Sequence, residues 1–476
     1  MSICFSIQKN IHTFVKNIWK LLFVNIFVLK SDSLLLQTIL IRFIMKTQNC
    51  ILFNKFIANW LIVLALLPFS VMASTPSPTI QHINQDSFNE YKAKVVDRKN
   101  GETLSYASIS VVGSNVSTVT NSEGEFSLKI GKDQPDAKIL ITHIGYKSKI
   151  VALSVLAQDK AKVELDPTSV ELPEISVVSK NAEALIREVL DRKDKNYSSD
   201  LNRMTAFYRE TIKKGRSYVS LSEAVAEIYK QPYNSYKNDI VTLYKARKKA
   251  DYNKLDTVAF KLQGGPFNSL YLDIMRYPDM IFTSEMLANY EFKFDRSTYM
   301  DKRLIFVVDF KQREGVVEPL YYGKLYIDAK NYAMKSAVFN LNLQNKDLSS
   351  KMFVLKKPYN ADVYPVEASY RIDYTEKEGK WYYGYSRIEL GLRINWKKKL
   401  FKTTYNSTIE MAITNWELDT DTKLANPKDR IKPSIVISDE AVGFSEPSFW
   451  GEYNVIEPEK SIESAIKKIQ KQLEKK

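Results

Sequence analysis

The sequence predicts a mostly β protein in which a small N-terminal β-sandwich is followed by a larger antiparallel α+β domain and a C-terminal helix. Three observations lead to this fold class. The 476-residue chain contains 28 Tyr and 23 Phe but only 15 Gly, and an aromatic-rich composition favours strands. Short β-branched runs separated by turns fill residues 91–165. Long strand-like runs with few helical patterns follow from residue 204.

The first 73 residues differ in composition from the rest of the chain. They hold both cysteines, and seven Lys and Arg against a single acidic residue, Asp32. From Met45 a basic start, an apolar run over 56–67 and the small residue Ala73 follow in the order of a secretory signal peptide. An uncleaved membrane anchor is the alternative, although the run is shorter than the ~20 residues of a span. The prediction is an upstream extension from a mis-assigned start over 1–44, a signal peptide over 45–73 and a linker over 74–87.

Cleavage at Ala73 changes what the charge and the cysteines imply. The formal net charge of +14 falls to +8, because the removed segment carries seven basic side chains and one acidic side chain. An excess of this size permits contact with anionic lipid or lipopolysaccharide but does not argue for nucleic acid as a partner. No cysteine follows residue 73, which excludes a disulfide framework and a thiolate metal site in the exported chain.

The sandwich is predicted over residues 88–180. Its strands are β-branched and partly alternating, and turns at 121–124 and 131–136 separate them. Spacing of this kind is typical of an all-β sandwich, and about 90 residues can bury an adequate core. The predicted strands cover residues 91–96, 107–113, 116–120, 125–130, 138–144 and 147–153, with a last strand at the start of 162–180.

Four stretches carry a likeness to a known family: VVDRKNGETLSYASISVVGSN, TVTNSEGEFSLKI, ILITHIGYKSKIVAL and VELPEISVV. Together they resemble the carboxypeptidase-like regulatory domain, an immunoglobulin- or transthyretin-like β-sandwich found beside the catalytic domain of some metallocarboxypeptidases. The likeness covers residues 91–178 and departs at Lys92–Val95, where the family usually has a glycine. It implies a fold and no activity. In secreted bacterial proteins such sandwiches often precede outer-membrane or cell-surface modules.

Five residues of these motifs are predicted to be structural. Gly101 and Gly124 fall in turns that favour positive φ, and Gly145 belongs to the IGY motif. Phe126 and Tyr146 stand at strand positions beside turn glycines. Both are expected to anchor the core of the sandwich.

The larger domain is predicted over residues 181–456. Apolar residues between Ala182 and Leu190 recur at helical spacing, with Asn181 or Ser179 as the cap. Short helical pieces are expected near 269–275 and 284–288. Sequential long strands with few helices imply an antiparallel, meandering sheet. Those strands are predicted at 204–212, 216–230, 239–247, 303–311, 320–328, 332–343, 363–375, 381–395 and 402–416.

This domain resembles the uncharacterised region that follows the same sandwich in bacterial envelope proteins. The stretch LYYGKLYIDAKNYAMKSAVFNL also resembles a strand pair of outer-membrane lipoprotein-sorting proteins, and that likeness implies a curved sheet around an apolar groove. Residues 457–476 are predicted to form an amphipathic helix, laid on the sheet or contacting a partner or membrane. Its apolar stripe consists of Ile462, Ile466, Ile469 and Leu473.

The sequence shows no pattern of a catalytic or metal-binding site. After residue 73 the histidines are His82, in the linker, and His143, inside a strand, whereas a catalytic zinc site takes about three protein ligands. Glu223 and Glu227 share one face of a strand, yet four residues span about 13 Å. That separation exceeds the ~5–10 Å of a glycosidase pair. The prediction is therefore no catalytic residue, no metal and no cofactor.

Four further patterns have plain interpretations. Ser464–Lys467 matches SxxK without its companion motifs. The runs Arg247–Lys249 and Lys397–Lys399 are predicted to be solvated, with contact to an anionic surface as the alternative. The aromatic run Trp381–Tyr385 is predicted to pack into the sheet, with stacking on a sugar as the alternative.

The sequence as a whole predicts a non-catalytic, exported envelope protein, a structural or binding module in the periplasm or at the outer membrane. Its partner is expected to be an envelope protein, a glycan or a lipid, with contact to the outer membrane as an option, and not nucleic acid. The alternative is a lipid or lipoprotein carrier with an apolar groove under the C-terminal sheet. A third hypothesis is a hydrolase whose site the sequence does not reveal.

Overall fold

A computed structural model of the chain describes residues 87–168, 181–250, 262–283, 285–300, 302–354, 357, 359–397, 401–418, 424–443 and 447–464. All of them belong to one structural unit. The predicted upstream extension, the signal peptide, the linker up to residue 86 and residues 169–180 lie outside the described residues. No helix in the described part of the chain is long and apolar enough to cross a membrane.

Seven strands form the N-terminal sandwich as two sheets, in the orders β4-β1-β7 and β3-β2-β5-β6. Strands β1 and β7 pair in parallel and the other neighbours pair antiparallel. One helical turn, α1 (Leu153–Leu156), precedes the last strand. The strands are β1 (Phe88–Asp97), β2 (Ser108–Val111), β3 (Ser117–Val119), β4 (Glu125–Gly131), β5 (Lys138–Thr142), β6 (Lys149–Ala152) and β7 (Ala161–Leu165).

Apolar side chains from both sheets fill the space between them, as expected for alternating strands. Ile109 of β2, Phe126 of β4, Ile139 of β5 and Val163 of β7 belong to one buried cluster. The side chains that alternate with them along β2 and β5 are only partly buried or exposed. The predicted sandwich is thus confirmed.

Two helices, α2 (Ala182–Asp191) and α3 (Lys193–Asn196), precede the large sheet. The Asn181 side chain accepts a hydrogen bond from the Glu183 N–H at 2.9 Å, so Asn181 is the N-cap of α2. The apolar spacing predicted for this helix places its buried residues on one side, namely Ala182, Leu185, Ile186 and Val189.

Within the described residues the large sheet has 12 strands, in the order β11-β13-β14-β15-β16-β17-β18-β8-β9-β10-β19 with β12 beside β13. Its pairings are antiparallel except that between β10 and β19. The strands are β8 (Asn202–Lys214), β9 (Ser217–Lys230), β10 (Ile240–Ala250), β11 (Tyr290–Phe294), β12 (Thr298–Met300), β13 (Arg303–Gln312), β14 (Tyr321–Asp328), β15 (Met334–Leu341), β16 (Ala361–Lys377), β17 (Lys380–Trp396), β18 (Thr403–Leu418) and β19 (Val442–Gly443).

Every long strand predicted from residue 204 onward is present, with bounds that differ by a few residues. Strands β11 and β12 were not predicted, because runs of five and three residues carry little periodicity. The sequence also misses α5 (Lys346–Phe353), a polar helix in which Ser349 and Phe353 are the buried residues. Residues 460–464 are helical, and the rest of the predicted C-terminal helix lies outside the described residues.

Short helices occupy the remaining connections. The predicted piece near 269–275 is α4 (Pro266–Leu270), and the piece near 284–288 is a 3₁₀ turn, Met286–Asn289. Further elements are the 3₁₀ turns Pro278–Met280 and Pro447–Trp450 and the short helix α6 (Ile437–Glu440).

The two faces of the large sheet differ in character. One face, called the polar face below, contacts the sandwich and residues 447–457 through a mixed cluster that includes Val119, Phe207 and Ile456. The other, called the apolar face, carries rows such as Tyr370, Ile388 and Ile409. The apolar face is covered by residues 262–283 together with α5, which are called the lid below.

Candidate binding site

A row of charged residues crosses the polar face where the sandwich lies. The strand registers place one charged side chain directly opposite the next on six adjacent strands, from β10 through β9, β8, β18 and β17 to β16. Directly opposed side chains on one face of a sheet lie close enough to interact. The row consists of Arg247, Glu223, Arg209, Glu410, Arg387 and Arg371.

The row is held together by buried ion pairs. Glu223 lies 2.7 Å from Arg209 Nε and 2.6 Å from Arg247 Nη2. Glu410 lies 3.1 Å from Arg209 Nη1 and 3.0 Å from Arg387 Nη1. Burial alone would raise the pKa of Glu223, but the charges of Arg209 and Arg247 outweigh it and hold the pKa below its usual value. Glu223 therefore stays ionised inside the protein.

The prediction that the run Arg247–Lys249 is solvated is wrong for Arg247. Its side chain is buried and reaches Glu223, because the strand register turns it toward the polar face. The adjacent residue, Lys248, points to the other side and donates to the Ser438 carbonyl of α6.

Tyr106 attaches the sandwich to this row. Its ring stacks on Tyr385 with centroids 5.6 Å apart. The guanidinium groups of Arg371 and Arg387 lie 5.1 and 5.4 Å from the centre of the same ring, within the range of a cation–π contact. Burial raises the pKa of the Tyr106 hydroxyl to about 12. Tyr106 has a φ of 61°, a left-handed conformation that is uncommon outside glycine. The ring is therefore placed over the row at some cost in backbone conformational energy.

Residues 454–457 run between the sandwich and the sheet and bond to both. Thr118 donates to the Val455 carbonyl at 3.1 Å, and Asn454 bonds the backbone of Lys129 in both directions. From the sheet, Arg209 donates to the Ile456 carbonyl at 2.8 Å. The row, Tyr106 and this segment together clamp the sandwich onto the polar face.

The predicted structural residues Gly101, Gly124 and Phe126 belong to the sandwich itself, with Gly101 on an exposed turn. Gly101 and Gly124 have φ of +74° and +75°, and a Cβ on Gly124 would come within 2.8 Å of the Val95 carbonyl oxygen. Phe126 is fully buried. Glycine is therefore required at position 124 by both conformation and space.

The IGY motif faces the large sheet. Gly145, with a φ of +89°, donates its N–H to the Tyr299 carbonyl of β12 at 2.9 Å. Tyr146 packs against the sandwich core while only partly buried, and its hydroxyl donates to Asp97 at 2.8 Å. The motif thus serves the attachment of the sandwich as well as its core.

The residues considered for chemistry are engaged in structure. His143 borders the junction of sandwich and sheet, with ring nitrogens 2.9 and 3.3 Å from two carbonyl oxygens, and burial lowers its pKa. Glu227 accepts hydrogen bonds from Tyr229 and Tyr244 at 2.8 and 2.6 Å. Neither tyrosine is a partner of Glu223. Within the described residues no group of three His, Cys, Asp or Glu side chains is placed to hold a metal ion. His82 and Lys467 lie outside the described residues.

On the apolar face the lid encloses a small cavity. Its volume is about 30 Å³, close to the volume that one water molecule occupies in the liquid. Residues of the lid form one wall, and strands β16, β17 and β18 of the sheet form the other. The lining consists of Leu262, Asn268, Tyr271, Leu272, Phe353, Tyr370, Ile388, Leu390, Ser407 and Ile409.

A buried ionic cluster fixes the second half of the lid to the sheet. Lys230 of β9 lies 2.8 Å from Asp239 and 3.0 Å from Asp273 of the lid, and all three side chains are buried. Tyr374 of β16 donates to Asp273 at 2.9 Å. The aromatic run Trp381–Tyr385 is also buried, which confirms that it packs into the sheet.

One carboxyl group, Glu210, lies on the apolar face beside Ile409 and Ser222. Burial raises the pKa of Glu210 to about 7, although the Tyr208 hydroxyl donates to it at 2.8 Å and opposes the rise. A carboxyl pKa raised in the folded state contributes stability that is present below the unfolded pKa and is lost as the pH rises through about 7.

Replacing Glu210 by Gln is therefore expected to stabilise the protein in a pH-dependent way. The difference in free energy of unfolding between the variant and the wild type should grow by about 3 kcal/mol from about pH 4 to about pH 8. Urea unfolding of both proteins across this range measures it. Parallel pH profiles would show that Glu210 titrates normally and is not buried.

The charged row and the buried lysine cluster were not predicted from the sequence. A signal was present, since Arg209, Arg371, Arg387 and Glu410 each lie in the middle of a predicted strand. What the sequence lacks is the register that places them side by side.

Comparisons with known proteins agree with the fold of the N-terminal part. Residues 91–177 match the family of the CarboxypepD_reg-like domain, so the expected resemblance is confirmed. A comparison with curated proteins finds no match.

Solved structures give faint likenesses. A DUF1329 family protein from Desulfovibrio piger is 9% identical, with 52% of this chain and 96% of that chain covered and a TM-score of 0.23. A LolA superfamily protein from Nitrosomonas europaea is 7% identical, with 49% and 94% covered and a TM-score of 0.18. A structure of lipid–protein interactions in lipovitellin is 10% identical, with 49% and 27% covered and a TM-score of 0.23. No functional conclusion follows from likenesses at these scores.

Proposed function

We propose that this protein is a non-catalytic binding protein of the bacterial envelope that holds the acyl chain of a lipid or lipoprotein between its large sheet and the lid. The observation that carries the proposal is the cavity at the boundary of lid and sheet, whose lining is almost wholly apolar. Small-molecule sites are concave and mostly apolar with a few placed polar groups, and here those groups are Asn268 and Ser407.

The different coverings of the two sheet faces support this proposal. The sandwich covers the polar face, where buried ion pairs link the strands, so the space for a ligand is on the apolar face, under the lid. The first half of lid residues 262–283 contributes Leu262 to the cavity lining and contains Gly264 and Gly265, whose φ values are +114° and +52°. The second half is held by Asp273. A ligand enters by displacing the first half of the lid while the second half stays attached.

A scaffold with a filled core is the second candidate, and the size of the cavity favours it. A volume of about 30 Å³ accommodates no acyl chain unless the lid moves. On this reading the lid is a permanent layer of the domain, and the sandwich or another surface meets the partner. The two candidates differ in whether an acyl chain binds with a defined stoichiometry.

Binding of a pyrene-labelled fatty acid separates the candidates. The wild type is expected to bind one probe molecule per chain, and Ser407→Phe, which fills the cavity, is expected to weaken that affinity by at least about tenfold. Thr408→Phe is the matched control, because Thr408 adjoins Ser407 on β18 and faces the other side of the sheet. Absence of saturable binding would leave the scaffold, and equal binding by all three proteins would place the ligand elsewhere.

A further inference from the structure

Three chain segments meet at one end of the large sheet. They are the end of β8 with its turn to β9 (213–216), residues 357, 359 and 360 before β16, and residues 397, 401 and 402 between β17 and β18. The Lys397 N–H donates to the Asn360 carbonyl at 3.0 Å, and the Gly215 N–H donates to the Thr404 carbonyl at 3.1 Å. The described part of this end is called the basic tip below and comprises Lys213, Lys214, Arg216, Lys357, Tyr359, Lys397, Phe401 and Lys402.

Two aromatic side chains project from the basic tip into solvent. Tyr359 is 95% exposed and Phe401 is 84% exposed. Both lie on turns, where nothing in the strand pattern requires an aromatic residue. Transfer of an exposed aromatic ring out of water is favourable. Two such rings at one tip therefore indicate that this tip contacts another surface.

The charge of the basic tip has one sign. Six basic side chains and no acidic side chain belong to the described residues of the basic tip. Asp362, at the start of β16, pairs with Lys357 at 3.1 Å. Elsewhere on the sheet, Lys324 is paired with Asp295 and Asp309. The six basic residues and the two exposed rings thus lie at the same end of the sheet.

We infer that the basic tip docks on the surface of a bilayer that contains anionic phospholipid. The aromatic rings of Phe401 and Tyr359 enter the interfacial layer, and the lysines and Arg216 lie at the level of the phosphates. Aromatic side chains favour this interface, and each cation near it adds attraction to anionic lipid. The inference does not depend on the proposed ligand, because the basic tip and the cavity are separate features.

Flotation with phosphatidylglycerol-containing vesicles tests the inference. The protein is expressed from the full sequence and used in the form in which it is purified from the cell. Replacing Lys397, Lys402 and Arg216 by Ser should lower the vesicle affinity about 100-fold, at about fivefold for each charge near the membrane. Phe401→Ser should lower it about tenfold. Higher salt should weaken wild-type binding, since exposed charges are screened.

The controls change the same residue types away from the basic tip. Replacing Lys138, Lys147 and Lys160 of the sandwich by Ser changes the net charge by the same amount as the triple tip variant. Tyr236→Ser removes a fully exposed ring from the β9–β10 connection. Both should bind like the wild type, and circular dichroism confirms that every variant is folded. Equal binding to neutral vesicles, or equal losses in controls and tip variants, would overturn the inference. A tip that binds single-stranded DNA but no vesicle would overturn it in favour of a nucleic-acid surface.

Discussion

Replacing Lys230 by Met is expected to lower the free energy of unfolding by about 3–5 kcal/mol, because it leaves buried carboxylates without their cation. Asp239 and Asp273 lie 2.8 and 3.0 Å from the Lys230 ammonium group. Burial works against the charge on Lys230, but the two aspartates outweigh it and hold its pKa above the usual value. The lysine is therefore charged at neutral pH, where its replacement leaves the two aspartates without a cation.

Urea unfolding of three proteins measures this effect. The triple variant Lys230→Met, Asp239→Asn, Asp273→Asn should regain most of the stability, since it removes the unpaired charges along with their partner. A single variant that loses less than about 1 kcal/mol would mean that water reaches the cluster, because an exposed ion pair contributes about that much or less. The lid would then not be held in the way described.

Replacing Phe126 by Ala is expected to cost about 3–5 kcal/mol, the usual cost of removing a buried aromatic ring. The Phe126 side chain is fully buried in the core of the sandwich, with 0% of its surface exposed to solvent. Its cross-strand neighbour on β1 is Ala93, whose small side chain cannot fill the space that the ring would leave. Denaturant unfolding of the full protein gives the value.

Val112→Ala is the matched control for Phe126→Ala. Val112 belongs to the same sandwich but is 48% exposed, so its truncation should change the stability by no more than about 0.5 kcal/mol. Similar losses in both variants would contradict the described core. They would point instead to a sandwich whose strands are shifted in register.

The long strands of the large sheet could be predicted because each carries its own signal. Alternation over eight or more residues, as in Met334–Leu341, is enough to identify a strand without knowledge of its neighbours. Strand β12 and helix α5 carry no such signal. Thr298–Met300 pairs with β13 only through tertiary contact, and α5 contributes few apolar residues of its own.

The arrangement of the polar face could not be predicted, since it depends on pairings between distant parts of the chain. Arg209 and Glu410 are opposite each other only because the last long strand returns to the first. The carboxylates Glu223 and Glu227 share a strand face, as their spacing predicts, yet each is bound by different neighbours. Spacing within one strand excluded a catalytic pair but could not reveal a network.

The IGY motif shows the same limit on a smaller scale. Its glycine could be identified as structural from the sequence, since the motif is carried by the family resemblance. That Gly145 bonds Tyr299 of the large sheet depends on the docking of two domains and has no local signal. The position of Tyr106 over Arg371 and Arg387 is unpredictable for the same reason.

The central claim is that an acyl chain occupies the space between the lid and the apolar face. Mass spectrometry of the lipids and lipoproteins that copurify with the envelope protein tests it most directly. The account predicts about one acyl-bearing molecule per chain with the wild type and with Thr408→Phe, and a strong reduction with Ser407→Phe. Protein that carries no acyl chain in any of the three forms, yet is folded and stable, would contradict the account and identify the large domain as a filled scaffold.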